Sequence, residues 1–197
     1  MRCSRRRMQA LREGWDLDTA IRYARLIRDL DILFFEQPLQ SWDISGMAKL
    51  RRSIEIPVSA DESVMTLADA RALVQAEAAD VFSVKITKNG GLHPARAICE
   101  YAAASGVPVF FNSMIEASVT QAASLHLGLT CRNPFPGVGH AYFSPNRLQS
   151  DICSFSSQIH PTQGLTEGSD APGLGVALDE AAIRRYRRHS VTISSPR

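Results

Sequence analysis

The sequence predicts an α/β fold in which a parallel sheet is covered by helices. Short continuous apolar segments, typical of strands buried on both faces, alternate with segments whose apolar residues recur every three or four positions. The polar residues that close four successive apolar segments, Glu36, Asp61, Lys85 and Asn112, lie 25, 24 and 27 residues apart. One strand with its crossover helix needs about this length. A doubly wound sheet and a (β/α)8 barrel both satisfy the pattern, and periodicity alone does not choose between them.

The elements follow one another in a regular order. The first helix is predicted over residues 16–30, and the first strand over residues 32–35. Thr66, a residue type that caps helix N-termini, is expected to begin the third helix. The other predicted elements are a helix over 44–53, strands over 56–60 and 81–86, a helix over 93–104, a strand over 107–111, a helix around 119–125 and an irregular strand over 138–142. After residue 145 the pattern weakens to an extended segment and a short helix over 180–187.

Composition narrows the class of protein. The formal net charge of +2 argues against a dedicated nucleic-acid binder. No apolar run reaches the roughly 18 residues of a membrane span, and the Arg-rich start lacks the apolar region of a secretory signal. None of the four cysteines lies in a Cys-x-x-Cys pair, so we expect reduced thiols in a cytoplasmic protein. No glycine-rich phosphate loop follows a strand, which weighs against nucleotide binding.

Charged residues close three successive strands: Glu36, Asp61 and Lys85. Ligand sites of parallel α/β proteins lie at the carboxyl ends of the strands, so these side chains are expected to meet. Each residue alone has an ordinary interpretation as a loop carboxylate, a helix-capping acid or a surface lysine. Burying an ionised group is costly unless it is paired or bound to a metal. Their common placement therefore favours a functional site.

Two carboxylates and a lysine at one sheet edge suggest a particular chemistry. Glu36 and Asp61 offer the oxygen ligands that Mg2+ prefers, with water and substrate completing the coordination. A lysine beside such a cation can remove a proton from carbon while the cation holds the resulting enolate. The predicted cofactor is therefore Mg2+ or Mn2+.

The strand ends also carry recognisable motifs. They read FEQP over residues 35–38, ADES over 60–63 and VKITKNGG over 84–91. In combination these motifs resemble the enolase superfamily. The strand-end lysine resembles the muconate-lactonizing subgroup of its mandelate racemase/muconate lactonizing enzyme family. The resemblance implies an incomplete (β/α)8 barrel of about five parallel βα units, equivalent to barrel strands 4–8, without the N-terminal capping domain.

The same resemblance implies roles for individual residues. Lys85 would be the catalytic general acid/base. Glu36 and Asp61 would be metal ligands, and Glu62 is a further candidate ligand. The residues expected to face the substrate pocket are Asn112, Glu116 and His140. The implied reaction is abstraction of a proton α to the carboxylate of a small acid, such as an amino-acid derivative, leading to racemisation, epimerisation, cycloisomerisation or dehydration.

Some family features have no counterpart here. Ala10 and Arg12 occupy the positions of an Asp-x-Asn motif that precedes Gly14-Trp15, and Ala141 aligns with the eighth-strand acid of cycloisomerases. We therefore expect a non-matching basic segment over 1–15, a partial barrel over 16–145 and a C-terminal return segment, short helix and tail over 146–197. A truncated gene product or a shifted reading frame would explain this arrangement.

Two alternatives to an enzyme remain open at this point. The chain could be an inactive fragment or interaction module of the same family, and its open barrel edges would favour a homo-oligomer. An unrelated α/β protein with a phosphate or nucleotide ligand is the third interpretation, which the missing phosphate loop disfavours.

Overall fold

Five parallel strands form the central sheet of the protein. The computed structural model describes residues 7–10, 14–135, 148–154 and 170–191. The strands are β1 (Arg7–Ala10), β2 (Ile32–Glu36), β3 (Val58–Ala60), β4 (Val81–Val84) and β5 (Val109–Phe111). They lie in the sheet in chain order, and every neighbouring pair is parallel. A doubly wound sheet reverses its strand order at a switch point. The unbroken order observed here therefore favours a partial (β/α)8 barrel, as the sequence motifs predict.

Helices follow all five strands of the sheet. They are α1 (Leu17–Ile27), α2 (Ile44–Ser53), α3 (Leu67–Gln75), α4 (Leu92–Ala104) and α5 (Ser118–Thr130). The first three begin at Asp16, Asp43 and Thr66, whose side chains accept a hydrogen bond from the backbone N–H three residues later. Thr66 forms a capping box with Asp69, which confirms the predicted helix start. Within the described ranges, no helix combines the length and apolarity needed to cross a membrane.

The two ends of the chain differ from the regular pattern between them. Strand β1 lies within residues 1–15, which the sequence predicts to be outside the barrel. It pairs with β2 through an irregular register between Arg7 and Gln9. Near the other end, β6 (Cys153–Ser154) and β7 (Ala177–Leu178) form an antiparallel pair, and α6 (Glu180–Tyr186) matches the predicted short helix. The strand predicted over 138–142 lies outside the described residues.

The parallel sheet has two faces of different composition, because successive strand residues point to opposite sides. The helix-covered face belongs to the main apolar core, and its buried residues are Phe35, Val58, Ala60, Phe82, Val84, Val109 and Phe111. The opposite side, here called the inner face, carries a smaller apolar cluster of Phe34, Val81 and Phe110. Polar residues lie two positions further along the same strands. The inner face therefore becomes polar at the carboxyl ends of the strands.

Candidate active site

Four polar residues from consecutive strands meet at the carboxyl ends of the sheet. Glu36 is the last residue of β2, and Asp61, Lys85 and Asn112 directly follow β3, β4 and β5. Because neighbouring strands are parallel, their carboxyl ends lie at the same edge of the sheet. Glu36 and Asp61 are each 4% exposed and Lys85 is 9% exposed. The structure therefore brings the predicted acid, acid and base into one buried cluster.

Glu36 is held by neutral donors. Its Oε1 accepts hydrogen bonds from the Ser83 hydroxyl at 2.7 Å and from the Asn112 amide at 2.9 Å. Burial raises the pKa of Glu36 above its ordinary value, and the negative charge of Asp61 adds to this effect. The Ser83 and Asn112 hydrogen bonds and the charge of Lys85 oppose it. Glu36 is therefore a carboxylate whose negative charge is incompletely compensated.

Asp61 is held by two ammonium groups. Its Oδ2 accepts from the Lys85 Nζ, and its Oδ1 accepts from the Lys88 Nζ at 2.8 Å. Lys88 also donates to the backbone carbonyls of Asp61 at 2.6 Å and Ser83 at 2.8 Å. Burial lowers the pKa of Lys88, with a smaller contribution from the charge of Lys85, whereas Asp61 acts in the opposite direction. The sequence predicts no role for Lys88, which lies three residues after Lys85.

Gln37 fixes the two carboxylate-bearing strand ends relative to each other. Its side-chain oxygen accepts from the backbone N–H of Asp61 at 2.9 Å and of Ser63 at 3.1 Å. Its amide nitrogen donates to the Leu39 carbonyl at 3.0 Å and to the Ser63 hydroxyl at 2.8 Å. Gln37 is 1% exposed and has a φ of 36°, a backbone conformation that most side chains avoid. The FEQP and ADES motifs are thus joined through one glutamine.

The turn after β4 is organised in the same way by Asn89. Its side-chain oxygen accepts from the Lys85 backbone N–H at 3.0 Å, and its amide donates to the Val64 carbonyl at 2.8 Å. Gly90 and Gly91 follow with φ values of 83° and 112°, which favour glycine. The VKITKNGG motif therefore encodes the turn that positions Lys85 as well as the lysine itself.

The remaining predicted site residues differ in how closely they join this cluster. Asn112 contacts Glu36 directly. Glu116 is buried in the loop after β5, where it accepts from the Thr87 hydroxyl at 3.2 Å and from Gln121 at 3.1 Å. Glu62 is half-buried, and burial together with the charge of Asp61 raises its pKa. His140 lies outside the described residues.

The carboxylates at the strand ends supply part of the coordination that a hard cation needs. Within the described ranges, no group of three or more His, Cys, Asp or Glu side chains gathers where a metal could bind. Strand β1 ends at Ala10, which pairs in register with Glu36. Two buried carboxylates nevertheless remain at adjacent strand ends, and Mg2+ is commonly held by one or two carboxylates together with water and substrate. Glu36 and Asp61 are residues of the type that supply such carboxylate ligands.

These features define a class of protein. A sheet of consecutive parallel strands covered by helices, with catalytic residue types at the carboxyl strand ends, is the arrangement of (β/α) barrel enzymes. A buried acid–lysine cluster at this edge is more typical of a functional site than of a stabilising contact, because buried ion pairs contribute little net stability.

The family follows from comparison with known proteins. The chain matches the enolase C-terminal domain-like family over residues 8–182. It is 33% identical over 180 residues to the chloromuconate cycloisomerase of Cupriavidus pinatubonensis, covering 90% of this chain and 47% of that protein. It is 34% identical over 122 residues to the L-Ala-D/L-Glu epimerase of Clostridium acetobutylicum, covering 61% of this chain and 34% of that protein. The chain therefore belongs to the enolase superfamily, in its mandelate racemase/muconate lactonizing enzyme family.

The solved structures agree with this assignment. The muconate lactonizing enzyme from Pseudomonas putida superposes with a TM-score of 0.81 at 32% identity, covering 88% of this chain and 47% of that enzyme. The chain thus spans about half the length of the relatives it matches. The family match begins at residue 8, so it includes residues 8–15 of the segment that the sequence predicts to be non-matching.

Proposed function

We propose that this chain carries the acid–base and metal-binding residues for abstraction of a proton α to a carboxylate. The observation that supports the proposal most directly is the buried cluster of Glu36, Asp61 and Lys85 at three consecutive strand ends. The relatives include a cycloisomerase and an epimerase. Proton transfer next to a carboxylate through an enolate is a step that both reactions can share.

Lys85 is the proposed general acid/base. In its neutral form the Nζ accepts the proton from carbon, and the electron pair of the C–H bond moves into the enolate. The ammonium group that results lies against Asp61, whose negative charge stabilises it. Lys88 keeps its own contact with Asp61, so this carboxylate retains a cationic partner while Lys85 is neutral. The two lysines therefore have separate roles, one in proton transfer and one in holding the carboxylate.

Glu36 and Asp61 are the proposed ligands of Mg2+ or Mn2+, with Glu62 as a further candidate. The cation would supply positive charge that stabilises the enolate. Such a charge would stabilise the ionised form of Glu36, which burial and the charge of Asp61 disfavour. Asn112, which follows β5, donates to Glu36 at the end of β2 and orients it.

The proposed substrate is a small carboxylic acid, such as an amino-acid derivative. Asn112, Glu116 and His140 are the proposed pocket residues. Return of a proton to carbon gives racemisation or epimerisation, loss of a leaving group gives dehydration, and reversible addition within the molecule gives cycloisomerisation. All four outcomes follow from the same enolate, so the cluster does not choose among them.

A second candidate is a catalytically inactive member of the family that serves as an interaction module. The end of β1 favours it, because Ala10 pairs with Glu36 at a position where the family motif has an aspartate. The residues of β1, Arg7–Ala10, include no aspartate or glutamate.

Proton exchange in D2O distinguishes the two candidates. The 197-residue chain is incubated with Mg2+ and the dipeptide L-Ala-L-Glu or a muconate, and deuterium incorporation is followed by NMR. The first candidate predicts exchange that is lost in Lys85→Ala and retained in Lys49→Ala, an exposed lysine on α2. Calorimetry should show Mg2+ binding weakened about tenfold or more in Glu36→Gln.

Two results would speak against the proposal. Exchange that is undiminished in Lys85→Ala removes the role of this lysine. A folded chain that neither binds Mg2+ nor exchanges any tested substrate supports the inactive candidate.

A further inference from the structure

The loop between β5 and α5, here called the site loop (residues 112–117), lies at the same sheet edge as the candidate active site. It begins with Asn112, which donates to Glu36. Its two large apolar side chains, Met114 and Ile115, are 56% and 50% exposed, so little apolar burial holds the loop in place. Ile115 has a φ of 66°, which a β-branched residue rarely adopts. Polar contacts therefore have to fix this conformation.

Glu116 is the buried centre of these polar contacts. It is 8% exposed, and each of its carboxylate oxygens accepts two hydrogen bonds. Its Oε1 accepts from the Thr87 hydroxyl at 3.2 Å and from the Met114 backbone N–H at 2.7 Å. Its Oε2 accepts from the Ser113 hydroxyl at 2.5 Å and from the Gln121 amide at 3.1 Å. A carboxylate has about four acceptor positions, and these donors occupy them.

The side chains around Glu116 are oriented towards its carboxylate. Ser113 donates its one hydroxyl hydrogen to Glu116. The Ser113 oxygen accepts in turn from the Ile115 backbone N–H at 3.2 Å and from the Gln121 amide at 3.3 Å. Gln121 is fully buried, and its own oxygen has no hydrogen-bond partner within the described parts of the chain. Turning this amide over would direct its oxygen at the carboxylate, so the donor that Glu116 needs sets its orientation despite the cost of the unpaired oxygen.

The contacts of Glu116 reach two segments of the candidate active site. In the site loop, the Asn112 side-chain oxygen accepts from the next backbone N–H at 2.8 Å, which leaves its amide nitrogen directed at Glu36. Thr87 belongs instead to the turn after β4, two residues after Lys85, and its hydrogen bond to Glu116 joins residues 29 positions apart. Glu116 therefore connects the turn that carries Lys85 with the loop that carries Asn112.

We propose that Glu116 is a positioning residue, which holds the site loop against the turn that carries Lys85 and does not itself contact substrate or metal. Its acceptor positions are occupied by donors from the protein, so it belongs to the proposed pocket through these contacts. Without the carboxylate, the buried donors of the site loop lose their acceptor. The value of this role for proton abstraction rests on the proposed function, whereas the contact between the two segments can be measured without activity.

Amide hydrogen exchange on the full chain tests the proposal. The backbone N–H groups of residues 113–115 all donate to side-chain oxygens, so their protection reports on these contacts. Glu116→Gln replaces one acceptor oxygen by a donor, and exchange at residues 113–115 should become about tenfold faster or more. Exchange in the turn, residues 85–91, should also become faster. Glu100→Gln, at an exposed ion pair with Arg96 on α4, is the control and should leave both segments unchanged.

Thr87→Val is a second variant, which keeps the Glu116 carboxylate and changes an exposed position. It removes one donor, so exchange at residues 113–115 should become about threefold faster, with a circular dichroism spectrum like that of wild type. The double variant with Glu116→Gln should exchange no faster than Glu116→Gln alone, because both substitutions break the same contact.

Kinetics of α-proton exchange in D2O give the second measurement. Both variants should lower kcat with KM within about threefold of wild type, because positioning acts on the reacting groups and not on substrate binding. If the wild-type chain exchanges no substrate, the proposed function fails, and amide exchange decides on the contact by itself.

Three outcomes would overturn the inference. The first is unchanged exchange at residues 113–115 in a folded Glu116→Gln variant. The second is faster exchange in the site loop alone, with the turn unaffected, because the two segments would then not be connected. The third is a higher KM in Glu116→Gln while Thr87→Val keeps wild-type kinetics, which would show that the carboxylate contacts substrate.

Discussion

The two faces of the parallel sheet are built from alternate residues of the same strands, yet their chemistry differs. On the helix-covered face, Phe35, Val58 and Phe82 are fully buried among apolar neighbours. On the inner face, Ser59 and Ser83 are equally buried but polar, and their hydroxyl oxygens lie 3.2 Å apart. Buried polar groups cost free energy unless they are hydrogen-bonded. We infer that the helix-covered face supplies most of the stability. The polar groups of the inner face belong to the candidate active site.

The largest effect is expected on the helix-covered face. Phe82→Ala removes a side chain with 0% exposure from the main core, and the free energy of unfolding should fall by about 3–5 kcal/mol. Denaturant unfolding measures this loss. Leu26→Ala is the control, because Leu26 is 81% exposed and its replacement should change stability by no more than about 0.5 kcal/mol. Similar losses in both variants would mean that the face does not carry the stability assigned to it.

The next effect concerns the ion cluster on the inner face. Asp61→Asn leaves two buried ammonium groups without their carboxylate, and the free energy of unfolding should fall by about 3 kcal/mol. Asp29→Asn is the control, because the Arg28–Asp29 pair is largely exposed and contributes about 0–1 kcal/mol. A tolerated Asp61→Asn would show that Lys85 and Lys88 do not depend on this carboxylate, and the distinction between the two faces would weaken.

A smaller effect is expected for a single hydrogen bond. Ser83→Ala removes one of the two donors to the Glu36 Oε1 and should cost about 1–2 kcal/mol. Because that hydrogen bond lowers the pKa of Glu36, its removal should raise this pKa further, which carboxyl NMR titration can follow. Ser53→Ala, on the exposed side of α2, is the control. An unchanged Glu36 titration would contradict the assigned contact.

The smallest effect depends on pH. The raised pKa of Glu36 contributes stability below the ordinary glutamate pKa of about 4.3, and this contribution is lost as the pH rises through the raised value. Glu36→Gln has no such loss, so its stability relative to wild type should increase from about pH 4.3 to neutral pH. Denaturant unfolding across this range measures the trend, with Glu55→Gln as the control for an exposed glutamate. A relative stability that decreases with pH would reverse the assigned sign.

Much of the fold could be predicted because its signals are local. Strand and helix positions follow from periodicity, and the start of α3 follows from Thr66, so the structure confirms them with boundaries shifted by a few residues. Strand β1 is not predicted from the sequence, because it has no such local signal. Its four residues, RMQA, lack an apolar run, and only pairing with β2 identifies them as a strand.

The site was predictable to the extent that it depends on strand ends. Placement of Glu36, Asp61, Lys85 and Asn112 after successive apolar runs was enough to expect a common edge, because parallel strands bring their carboxyl ends together. Their catalytic and metal-binding roles stay predictions. The sequence contained no comparable signal for Lys88, whose position between two backbone carbonyls and Asp61 depends on the turn that follows β4.

The sequence by itself determined the alternation of strands and helices, the residues at each strand end and the motifs of the family. These properties depend on neighbours within a few positions along the chain. Only the tertiary structure decided that Gln37 joins two motifs, that Asp61 has two lysine partners and that Glu36 accepts from Ser83 and Asn112. Each of these contacts joins residues 24 or more positions apart. Such contacts depend on the strand register and helix packing, which no local pattern specifies.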